Sequence, residues 1–63
     1  MEYEIEAFIN VAWRDWQTLK TTGSILFFMD RREKRYPNWG WRYRRCASFE
    51  QPGTDWEVHH ASS

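Results

Sequence analysis

Residues 2–9, EYEIEAFI, alternate: Tyr3, Ile5, Ala7 and Ile9 fall on one face, and Glu2, Glu4 and Glu6 on the other. A period of two is that of a strand with one dry and one wet side. The dry side needs an apolar layer over it, and the rest of the chain must supply that layer. The chain has 63 residues, room for a single domain spanning 1–63. A chain of this size buries only about 60% of the surface it exposes when unfolded. Cys46 is the one cysteine, so no internal disulfide can add stability. Residues 61–63 are expected to fray.

A second strand, AWRDWQTLK, follows a short turn near Asn10, and TTG then breaks the pattern. SILFFMDRREKR reads as a helix capped by Thr22 or Ser24. It is rich in helix formers, it holds the acid-before-base pair Asp30 and Lys34, and basic residues crowd its last turn. Pro37 ends it. On such a helix Ile25, Phe28, Met29 and Tyr36 share one side, while Phe27, Arg31, Lys34 and Arg35 lie opposite. GWRYRRCASFE alternates again, with Trp41, Tyr43, Ala47 and Phe49 on one face and Arg42, Arg44, Cys46 and Ser48 on the other. QPGT turns the chain into DWEVHH, with Trp56 and Val58 inward and Glu57 and His59 outward. The expected fold is α+β: a ββαββ order with an antiparallel sheet and one helix on one face. The alternative is a five-stranded small β-barrel with SILFFM as its third strand.

Net charge is zero, but Arg14 and Lys20 are the only basic residues outside 31–45. The chain is therefore acidic, then basic, then acidic. Arg42 and Arg44 share the wet side of their strand, as Glu2, Glu4 and Glu6 do of theirs. Neighbouring strands would make these a cross-strand charge ladder. Arg31, Lys34 and Arg35 have only Asp30 and Glu33 near them in sequence, with Phe27 alongside. That is a basic patch with an aromatic anchor, suited to phosphates or to an acidic protein surface. Trp39 lies in a turn and could stack on a base. Phe27, Arg31, Lys34, Arg35, Trp39, Arg42 and Arg44 are the candidate partner-binding residues.

Catalysis and cofactors find little support. His59 and His60 are adjacent on a strand and point to opposite faces. His59 with Cys46 would give two ligands at best, where zinc takes four, or three and water. Cys46 lacks an orienting triad, the three glycines are isolated, and no nucleic-acid-binding signature is present. No enzyme activity, metal or cofactor is expected. No membrane-spanning run or leader is seen either, so a soluble cytoplasmic protein starting at Met1 is expected, in the host cytoplasm if phage-encoded. In kind the chain is similar to small phage-encoded inhibitors of host machinery, anti-CRISPR proteins among them. The expected function is a small binding protein that occludes a surface of nucleic-acid-handling protein machinery. The alternatives are a direct nucleic-acid-binding module and a structural homo-oligomer, for instance a homodimer.

Overall fold

The computed structural model describes residues 1–60, so the tail expected to fray lies outside the described residues. Its elements are β1 (Glu2–Ile9), β2 (Ala12–Lys20), α1 (Ile25–Arg35), β3 (Gly40–Arg45) and β4 (Glu57–His60). The sheet is open, all its pairings are antiparallel, and its order is β2-β1-β3-β4. This is the expected ββαββ architecture, not the barrel, and residues 25–35 are helical. β2 and β3 flank β1 and both oppose it, so they run parallel to each other. Parallel strands need a long crossover, and α1 is that crossover. It lies over the dry side of the sheet, where Ile25 and Met29 complete a core with Ile5, Ala7 and Trp41. Phe28 and Tyr36 pack beside them, as the helical spacing predicts.

Asn10 and Val11 join β1 to β2 with positive φ angles of 53° and 59°. Two left-handed residues between paired strands form a type I′ turn, whose twist suits a hairpin. Asn tolerates this conformation, whereas a β-branched residue does so only at a cost. Further along, the register slips between Ile5↔Gln17 and Glu6↔Asp15, leaving Trp16 as the extra residue of a bulge. Trp16 then turns toward the end of the helix. Its ring meets Tyr36 at 5.3 Å, Trp39 at 5.6 Å and Trp41 at 5.1 Å. The buried Trp41 donates its indole N–H to the carbonyl of Tyr36 at 3.4 Å.

Two expectations for the C-terminal half need correction. β3 ends at Arg45, so Ala47 and Phe49 belong to an exposed loop and not to the dry face. The loop is held at its root: Thr54 N–H donates to the Arg45 carbonyl at 3.0 Å, and Arg45 N–H donates to Thr54 Oγ1 at 2.9 Å. A Cβ on Gly53 would lie 3.1 Å from both Arg45 O and Ala47 N, so the close approach favours glycine there. The faces of the last strand are also reversed. Trp56 lies against Arg42 and Arg44 on the wet side, Val58 is exposed, and His59 meets α1. Apolar-inward alternation fails because β4 is an edge strand. The helix flank above it offers carboxylates, which attract an imidazole, and two guanidinium planes outside attract the indole.

Candidate interaction surface

The sequence-predicted binding residues separate into three places. Arg42 and Arg44 stand on the uncovered side of the sheet. There Glu6 pairs with Arg42 and Glu4 with Arg44 across β1 and β3. Arg42 Nε and Nη2 both donate to Glu6 Oε1, with the Nε bond at 2.9 Å. Arg44 Nε and Nη2 each lie 2.8 Å from Glu4 Oε2. The ladder read from the alternation is present, and it leaves neither guanidinium unpaired. Arg42 is also flanked by two indoles: its Cζ lies 4.3 Å from the ring centre of Trp13 and 4.3 Å from that of Trp56. Arg44 lies 4.5 Å from Trp56. Trp13 and Trp56 thus belong to this stack, which the sequence reading missed. Trp13 sits near the start of β2 and Trp56 just before β4, and only pairing across the sheet brings them together.

Trp39 is not a free ring. It stacks on Tyr36 with a centroid distance of 4.6 Å and an interplanar angle of 7°, beside Trp16 and Trp41. Half-buried in that cluster, it extends the core under the end of α1. Stacking on a base is not a role this packing favours.

The third place is the outer stripe of α1, where Phe27, Arg31 and Lys34 fall together, with Arg35 at its border. Phe27 is 67% exposed. The Arg31 guanidinium leans on its ring at 5.9 Å. Among the described residues Arg31, Lys34 and Arg35 form no ion pair. Beside this stripe an open groove of about 440 Å³ runs between α1 and the end of β2, lined by Leu19, Lys20, Phe27, Phe28 and Arg31 among others. The surface therefore combines an exposed ring, an apolar groove and cations that form no ion pair among the described residues. Such a patch can accept an apolar side chain flanked by carboxylates.

Cys46 is half-buried near the start of the exposed loop. Burial pushes its thiol up from the ordinary range, Glu2 and Glu4 push it further, and Arg44 opposes them. A raised thiol is a poor nucleophile at neutral pH. Tyr43 is likewise pushed up, first by burial and then by Glu57 and Tyr3. Among the described residues no helix is long and apolar enough to cross a membrane. Set against known protein families, curated proteins and solved structures, the chain matches none.

Proposed function

We propose that this chain is a non-enzymatic binding domain that docks the outer stripe of α1 on an acidic surface of a protein partner and acts by occluding it, as an inhibitor or modulator. One contrast carries the reading. Arg42 and Arg44 of the sheet are paired with carboxylates, while among the described residues Arg31, Lys34 and Arg35 around the exposed Phe27 form no ion pair. Charge left unpaired beside an exposed aromatic favours a partner of opposite sign with an apolar contact at its centre.

The same contrast weighs against direct binding of nucleic acid. With Arg42 and Arg44 held by carboxylates and Trp39 committed to the ring cluster, the basic and aromatic candidates read from the sequence reduce to one short helical stripe. A few phosphate contacts give only weak, salt-sensitive association. The test is a set of variants that remove the stripe and leave the fold alone. Phe27→Ala, and the joint change of Arg31, Lys34 and Arg35 to Gln, keep good helix propensity at exposed positions. Both should abolish partner capture with nearly unchanged melting. Capture that persists in both variants overturns the assignment of this face.

A further inference from the structure

Asp30 and Glu33 lie on the flank of α1 that faces β4, and His59 reaches them from that strand. We propose that these three side chains form a binding site for a divalent transition-metal ion of the zinc class, completed by water. The inference does not depend on the docking proposal and rests on geometry and on the donor set. His59 Nε2 is 2.9 Å from Asp30 Oδ1 and 3.4 Å from Glu33 Oε2. One donor atom from each residue lies within 4.8 Å of the other two. Two ligand atoms on a tetrahedral zinc ion, each bonded at roughly 2.0–2.1 Å, are about 3.3 Å apart. Two of the three separations are thus already close to those of a coordination face, and the third lies within 4.8 Å.

The donor set suits such an ion, since an imidazole nitrogen and carboxylate oxygens are ligands that zinc takes. The His59 side chain is only 16% exposed, so the nitrogen ligand is held in place, while Asp30 is 61% exposed and opens to solvent. An open cleft of about 510 Å³, lined by Asp30, Glu33, Lys34 and Pro37, leaves room for water ligands. Three protein ligands and water make a familiar zinc arrangement. The imidazole selects zinc, cobalt or nickel over magnesium and calcium. The other acidic grouping, Glu4, Glu6 and Asp15, has no such nitrogen, and two of its members already hold Arg44 and Arg42.

An ion here would tie a four-residue edge strand to the helix above it. By mass action it would stabilise the fold. Lys34, along the same cleft, opposes a cation.

The experiment is calorimetric titration of the whole chain with zinc chloride, paired with thermal melts in zinc and in chelator. One ion per chain and a higher melting temperature in zinc are expected. His59→Gln and Asp30→Asn should each weaken binding by at least about tenfold, the loss that even outer-shell changes produce. Lys34→Gln should tighten it, and Cys46→Ser and Asp15→Asn should leave it unchanged. Asp30 is exposed, so its variant tests the site even if His59→Gln folds poorly. No zinc binding, or binding that Asp30→Asn leaves intact, overturns the site.

Discussion

Arg42 gives two hydrogen bonds to a single oxygen of Glu6 and lies with its guanidinium between the indoles of Trp13 and Trp56. The pair is substantially shielded, with side-chain exposures of 22% for Arg42 and 12% for Glu6. Two residues further along, on the same face, Arg44 and Glu4 repeat the pairing closer to water, at 41% and 30%. Chemically alike pairs in different solvent should differ in worth.

Arg42→Ala is expected to destabilise the fold by about 2–3 kcal/mol, because it strands a mostly buried carboxylate as well as removing the stack. Arg44→Ala should cost less than about 1 kcal/mol, the usual scale for an exposed pair. Urea unfolding of the two variants separates them. Equal costs would show that the shielding of Arg42 contributes nothing.

Trp41 and Trp56 differ as sharply. Trp41 is fully buried among Ile5, Ala7 and Met29. Trp41→Ala should cost about 3–5 kcal/mol, the whole stability of a domain this small, and leave the chain unfolded at room temperature by circular dichroism. Trp56 covers two arginines and lies outside that core. Trp56→Ala should cost about 1–2 kcal/mol and retain a cooperative melt. An unfolded Trp56 variant would place this ring in the core after all.

These two tryptophans show where the sequence was legible. Ile5, Ala7, Met29 and Trp41 each sit in a segment long enough for periodicity to assign the dry side, and all four are buried. The Glu4–Arg44 and Glu6–Arg42 rungs followed from the same alternation once β1 and β3 were neighbours. Trp56 and His59 were misread because four residues of edge strand hold too little pattern. Their faces are decided by groups far away in sequence: Arg42 and Arg44 for one, Asp30 and Glu33 for the other. The bulge at Trp16 was equally hidden, since a one-residue slip leaves no mark on composition. Asp30 and Glu33 read as ordinary helix-surface acids until β4 brought a histidine to them.

Val11 is 91% exposed and holds a left-handed backbone that β-branched residues resist. Val11→Gly gives the favoured Asn-Gly pair for this turn. Relief of about 1–2 kcal/mol of strain outweighs the larger freedom of an unfolded glycine, roughly 0.5–1 kcal/mol. The expected net gain of about 0.5 kcal/mol should raise the melting temperature by roughly 2–4 °C. A lower melting temperature would mean that the turn relaxes at no cost with valine.

Cys46 should alkylate more slowly at neutral pH than the same thiol in the urea-unfolded chain, and its rate should rise at a higher pH than that of free cysteine. The direction follows from burial first, then Glu2 and Glu4. Removing the opposing cation with Arg44→Ala should delay the rise further. The folded chain holds this proton more tightly than the unfolded one. The stabilisation is therefore present below the thiol's unfolded range and is lost as pH climbs through the folded one. A rate profile that reaches its plateau below that of free cysteine would contradict the assignment.

The docking assignment is tested most directly by parallel capture from nuclease-treated lysate with immobilised wild-type chain, the Phe27→Ala variant and the variant with Arg31, Lys34 and Arg35 changed to Gln. Each variant is first confirmed to melt like wild type. The account predicts an acidic protein that the wild type retains at low salt and that both variants lose. It is contradicted if both variants capture the same protein, or if the wild type captures no protein and instead binds added labelled nucleic acid, released by salt with a slope of several phosphates.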